Sequence, residues 1–192
     1  LGIGADGVPG YPLIEAYLTG KELKTVAEID ASVSDLMTSA RLYMYGLQFT
    51  YNPHRMILNR VTDVYLLDAD GNRRELEDDK LYRVVADLYS GQMLSAVTKT
   101  SYGLLSVVPK KADGTPIENF EDVILTDNGG ELKAWTAIAH YMESFPDENG
   151  DGIADIPQYY AGLHERKVVD DSANLIKLIK NPNKYAVMIA GV

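Results

Sequence analysis

Apolar residues return at helical spacing between Leu132 and Phe145. Leu132, Trp135, Ile138, Ala139 and Met142 share one face and predict a long helix. GLQFTYNP (46–53) instead alternates, is bounded by Gly and Pro, and predicts a strand. LIEAYL (13–18) reads as another strand. It runs into TGKELKTVAEIDASV, where Thr19 and Glu22 have the spacing of a helix-opening capping box. Leu23, Val26 and Ala27 then lie on one helical face.

Val61, Val64 and Leu66 precede the turn DADGN, and Tyr82, Val84 and Ala86 follow it. Asp70-Gly71 is a hairpin signal, so the two runs are expected to pair. YSGQMLSAVTKT (89–100) predicts a helix, LLSVVPK (104–110) a strand, and KADGTPIENFED a loop. A short helix is expected within SDLMTSARLYM, and a helical turn after Pro157 in IPQYYAGLHERK. Strand-sized runs such as YAVMIA (185–190) fall far short of the ~18 residues of a membrane span. Strands and helices mix without a βαβ rhythm, repeat or linker, which predicts one α+β domain over residues 1–192, with a mixed sheet packed by helices.

The net charge of −10 argues against binding a nucleic-acid duplex, whose phosphates need Lys and Arg. With no cysteine, disulfides, thiolate metal sites and a cysteine nucleophile are excluded. The chain opens LGIG, without Met or a signal peptide, so it reads as a fragment or a processed form.

No nucleophile elbow, phosphate loop, dinucleotide fingerprint or HExxH motif is present. His54, His140 and His164 are far apart and form no triad or metal-type spacing. A two-metal catalytic centre needs several converging ligands around ions about 3.5–4 Å apart. Three scattered histidines do not supply one, so no catalytic residue is assigned. Among the thirteen tyrosines, Tyr89, Tyr159 and Tyr160 are candidates for stacking on a ligand ring.

One stretch does carry metal chemistry. In FPDENGDGIADIP (145–157), oxygen-bearing side chains fall on alternate positions. Calcium loops place ligands at positions 1, 3, 5, 7 (a carbonyl) and 9, with Gly at 6. Asp147, Asn149, Asp151, Ile153 and Asp155 fill those positions, and Gly152 is at 6. Position 12 is Gln158, not the bidentate Glu of an EF-hand, and DENGDGIAD is more similar to the loops of thrombospondin type 3 repeats. The alternative is an acidic turn built of good turn formers. The reading taken forward is a weak Ca²⁺ site, within a helix-and-loop unit spanning 132–158.

Three stretches carry a resemblance: PGYPLIEAYLTGKELK, then GLQFTYNP with Arg60-Val61 behind it, then ELEDDKLYRVVADLY. In that order they resemble the C-terminal domain of the 5′-nucleotidase family. That family also includes bacterial 2′,3′-cyclic-nucleotide phosphodiesterases and nucleotide-sugar hydrolases. The resemblance covers about residues 9–110, and it implies an N-terminally truncated form of that domain.

It also implies a partner in cis, an N-terminal metallophosphatase domain that holds the catalytic divalent metals and does the hydrolysis. This chain would bind the nucleoside or nucleotide and would be exported, to the cell surface, periplasm or medium. The family stacks the base between two aromatic rings. Their matching positions here are Leu1-Gly2 and Leu88, in Ala86-Asp87-Leu88. Either Tyr89 replaces the second ring from the next position, or this branch binds something else, or the site is lost. Leu88 and Tyr89 are therefore the candidate substrate-binding residues, and a calcium-stabilised interaction module without a nucleoside site is the alternative.

Overall fold

In a computed structural model, residues 4, 6–34, 41–68, 70–100 and 106–172 are described, the side chains of 95–100 excepted. The fold is α+β, with three α-helices and small mixed and antiparallel sheets among the described residues. The described residues form two compact units. One is drawn from Leu1–Tyr17, Arg83–Ala96 and Val108–His164, the other from Leu18–Tyr82, Val97–Val107 and Glu165–Val192.

The strand β1 (Leu13–Thr19) buries Ile14, Ala16 and Leu18 on one face and leaves the residues between them half-buried. It ends at Thr19, which opens α1 (Gly20–Val33) with the predicted capping box: Thr19 Oγ1 accepts from Glu22 N–H, and Glu22 Oε2 accepts from Thr19 N–H. Gly20 is the only residue that fits here, because a Cβ would collide with the backbone carbonyl of Glu77.

The second unit is built on β2 (Leu47–Tyr51), β3 (Val61–Leu67), β4 (Arg73–Glu75) and β8 (Lys167–Val169), in the order β4-β3-β2-β8. β3 and β4 are antiparallel, joined through Gly71 at φ 79°. The Asp70-Gly71 hairpin therefore forms, but its second arm is β4 rather than the run at 82–86. That run is β5 (Leu81–Asp87), and it pairs with β1 instead. A local turn signal fixes the bend; the longer partner is chosen by which apolar face needs covering. β8 joins β2 in parallel, Phe49 opposite Lys167.

Against this sheet lies α1. Phe49, Ala27 and Ala31 are buried together, with Met44, Tyr51, Val61 and Val64 packed around them. Glu28 is buried too, at 9 % exposure. Its carboxylate accepts the N–H of Arg60 at 2.8 Å, the N–H of Val61 at 2.8 Å and the hydroxyl of Ser32. The side chain thus satisfies backbone donors at the start of β3 that the sheet leaves open.

The helix α2 (Leu88–Thr100) starts one residue earlier than the spacing predicts. The short strands β6 (Thr126–Asp127) and β7 (Gly130–Glu131) pair through Asn128-Gly129, both at positive φ. They lead into α3 (Ala134–Glu143), which is shorter than the predicted 132–145. Much of its apolar stripe is exposed: Trp135, Ile138 and Met142 each keep 43–61 % of their surface in solvent, while Leu132 and Ala139 are half-buried. Periodicity reports an amphipathic face; it does not report what covers it.

Residues 106–110 of the predicted strand LLSVVPK form no strand, only two isolated bridges at Lys110, to Tyr17 and to Pro116. The rest of that stretch, most of the expected helix in SDLMTSARLYM, the Leu1-Gly2 position and the run at 185–190 lie outside the described residues. A 3-10 turn, Gln158–Ala161, follows Pro157 as expected.

Candidate functional site

Asp87 ends β5 and caps α2. Its carboxylate accepts from the N–H of Ser90 at 2.9 Å and from the Ser90 hydroxyl at 2.6 Å. That cap holds Leu88 and Tyr89 in the first turn. Leu88 is half-buried and donates its N–H to the Pro12 carbonyl at 2.9 Å. Tyr89 points outward, 44 % exposed.

The Leu88–Pro12 bond brings a second ring alongside. Tyr11, 42 % exposed, lies with its centroid 5.7 Å from that of Tyr89, the planes tilted by 34°. Tyr11 sits in the turn Pro9-Gly10-Tyr11-Pro12, directly before β1. Gly10 takes φ 109°, and a Cβ there would be 2.9 Å from the indole of Trp135. Trp135 in turn donates its indole N–H to the Pro9 carbonyl at 3.0 Å.

The structure thus places a tyrosine pair at the start of α2, one member of which the sequence reading missed. The available signal was an aromatic residue in a Pro- and Gly-rich turn just ahead of the matching strand. The other candidates, Tyr159 and Tyr160, are engaged in a separate aromatic cluster. Tyr159 stacks on His164 at 4.0 Å, and Tyr160 packs against Tyr141 and Phe145.

The acidic loop is folded around its first carboxylate. Asp147 accepts from the N–H groups of Gly150, Asp151 and Gly152, at 2.6, 3.2 and 2.8 Å. Those bonds, Gly152 first, hold the Asp147 carboxyl below the usual carboxylate range. Asn149 Oδ1 accepts from Asp151 N–H, and Asp151 Oδ1 from Ile153 N–H. Asp155 accepts from Glu148 N–H and, at 3.3 Å, from the Asn149 amide. Gly152, at φ 87°, makes the sharp turn that position 6 requires. In this arrangement the side-chain oxygens serve the loop's own amides. Among the described residues no group of three or more His, Asp or Glu side chains is placed to hold a metal ion.

The remaining histidines are not convergent. His54 Nε2 lies 2.8 Å from Asp171, and His140 Nδ1 lies 3.6 Å from Asp127, both at exposed positions. No helix among the described residues is long and apolar enough to cross a membrane.

Residues 10–97 match the family model described as "5'-nucleotidase, C-terminal domain". These residues belong to the 5′-nucleotidase C-terminal domain family. The match holds β1, α1, the β2–β5 strands and the start of α2, and therefore both tyrosines of the pair. It ends short of residue 110, the limit drawn from the quoted stretches. The fold is also similar to the crystal structure of a 5′-nucleotidase precursor from Thermus thermophilus. TM-score is 0.54 and identity 20%, over 90% of this chain and 28% of that one. The Haemophilus influenzae NAD nucleotidase NadN is 24% identical over 48% of this chain and 16% of its own length, with a TM-score of 0.37. A search of curated protein sequences gave no match. The chain thus spans under a third of the length of either solved relative.

Proposed function

We propose that this chain is the nucleoside-binding, non-catalytic part of an exported, metal-dependent nucleotide phosphohydrolase, and that Tyr11 and Tyr89 form its base platform. The observation that carries this reading is the exposed tyrosine pair, built within the segment that matches the 5′-nucleotidase C-terminal domain. The two rings already touch, so a base stacks on the open face of the pair. Such stacking is worth about 1–3 kcal/mol per base. The ring at position 89 offers what the leucine at 88 does not, a flat polarisable face turned to solvent.

Titration with nucleosides and nucleoside monophosphates, followed by NMR, tests the placement. The ring signals of Tyr11 and Tyr89 are expected to move with saturating ligand. Movement confined to other residues would remove the pair from the site. Hydrolysis is assigned to a metallophosphatase domain in cis. The purified chain is accordingly expected to release no phosphate from AMP or a cyclic nucleotide with divalent metals present, and turnover at enzyme-like rates would contradict that assignment.

A second reading, a calcium-stabilised module, is favoured by the spacing of the oxygen donors and the sharp turn at Gly152. Asp147, Asn149, Asp151, the Ile153 carbonyl and Asp155 supply an oxygen set suited to Ca²⁺. Binding would require the carboxylates to turn from backbone amides towards an ion. Together with the residue at position 12, this places Kd at the weak end, on the order of 10⁻⁴–10⁻³ M. At about 1 mM Ca²⁺ the gain is roughly 0.4–1.4 kcal/mol, a rise in Tm of a few degrees at most.

Asp151→Ala is expected to abolish the calcium-dependent rise, and Glu148→Ala to leave it. Without calcium, the loop's own stabilisation should weaken in acid. Asp147 titrates below its ordinary value, so its contribution is present above about pH 4 and is lost as pH falls through the lowered value. Identical melting curves with calcium and with chelator at neutral pH would reduce the stretch to an acidic turn.

A further inference from the structure

Lys133 is the most deeply buried charged residue among those described in the first unit, with only 1 % of its surface exposed. It stands immediately before α3, but it does not cap that helix. Its ammonium instead meets two carboxylates, Asp6 at 2.9 Å and Glu131. Burial works to lower its pKa, but the hydrogen bonds and charges of Glu131 and Asp6 outweigh burial and hold it above the usual lysine range. A lysine so held is a fixed cation, not a base or nucleophile.

Asp6 belongs to a small turn. Its carboxylate also accepts from the N–H of Val8 at 3.0 Å, and the N–H of Gly4 reaches the Val8 carbonyl at 3.1 Å. Lys133 therefore grips the turn from beneath. Three further bonds carry the grip along the chain: Trp135 to Pro9, Ala134 N–H to the Tyr11 carbonyl at 3.1 Å, and Leu13 N–H to the Leu132 carbonyl at 2.8 Å. The turn is otherwise exposed between residues 6 and 9. Burying the lysine is an expensive way to fasten a loop, since its charge must leave water while Asp6 stays at the exposed surface. Here the fastened residues end at Tyr11.

We infer that Lys133 is a positioning residue for ligand binding: by holding Asp6 and Glu131 it sets the 6–11 turn so that the Tyr11 ring stays beside Tyr89. This rests on the nucleoside-binding reading for its consequence, though not for its geometry. The pair then behaves as a preorganised platform, and loosening the turn costs affinity without removing any group that touches the ligand.

The test uses the 192-residue chain and two readouts. The first needs no ligand: the nuclear Overhauser contact between the Tyr11 and Tyr89 rings. It is expected in the wild type, lost in Lys133→Met, and retained in Lys133→Arg, which keeps the charge. The second is the Kd of whichever nucleoside binds. Lys133→Met should weaken it about tenfold, the scale of one lost stacking ring, and should cost nothing further in a Tyr11→Ala background. If Lys133→Met does not fold, Asp6→Asn takes its place, since it weakens the same grip from the exposed side.

A ring contact that persists in Lys133→Met overturns the inference, as does an equal loss of affinity on the Tyr11→Ala background. If no nucleoside binds, the functional proposal fails, and the ring contact still decides whether Lys133 sets the turn.

Discussion

Phe49→Ala is expected to destabilise the second unit by about 3–5 kcal/mol, the range for removing a buried aromatic ring. Phe49 is 1 % exposed and sits in the middle of β2, between the hairpin partner β3 and the parallel strand β8. Its ring fills the space between the sheet and Ala27 and Ala31 of α1. The two alanines have no side chain with which to follow the ring as it is removed, so the cavity stays open. Urea unfolding followed by circular dichroism measures the loss as a lower midpoint. Phe49→Leu, which keeps most of the volume, should cost much less. A Phe49→Ala variant within about 1 kcal/mol of wild type would mean that the ring is not the centre of this core.

Glu28→Ala is expected to cost about 3 kcal/mol for a different reason. The carboxylate accepts from two backbone N–H groups, Arg60 and Val61, as well as from Ser32. Truncation leaves those donors without their acceptor, and each buried unsatisfied donor costs about 1–3 kcal/mol. Glu28→Gln retains one amide oxygen and should recover roughly half of the loss. Equal stability of the Ala and Gln variants would show that water takes over the acceptor role. The pairing also explains the Arg60-Val61 element of the family resemblance: the position is where the chain enters β3 under the helix.

What could be read from the sequence was local. Thr19 and Glu22 are three residues apart, and their reciprocal hydrogen bonds need nothing else to form. The strand at 47–51 and the turn at Gly71 are likewise decided by a few neighbouring residues. The fold class and the family followed from such segments in order.

What could not be read depends on distant pairing. β5 lies against β1, and β8 reaches β2 from more than a hundred residues away; neither choice is written in either strand alone. The grip of Lys133 on Asp6 is of the same kind. Tyr11 was missed because its place beside Tyr89 depends on the Leu88–Pro12 hydrogen bond, which joins segments more than seventy residues apart. The face of α3 was legible as a stripe, but a stripe does not say whether it is buried. The acidic loop was legible as a pattern of donors. Its oxygens nonetheless turn to the amides of Gly150, Gly152 and Ile153, which a pattern of residue types does not contain.

The central claim is that the Tyr11–Tyr89 pair receives a nucleoside. Isothermal calorimetry of the wild-type chain against adenosine, guanosine, cytidine, uridine and their 5′-monophosphates, repeated with Tyr89→Ala, tests it most directly. Saturable heat is expected with at least one ligand, weakened about tenfold or more by Tyr89→Ala, in keeping with about 1–3 kcal/mol of stacking. No heat from any member of the panel, or binding that Tyr89→Ala leaves unchanged, would contradict it.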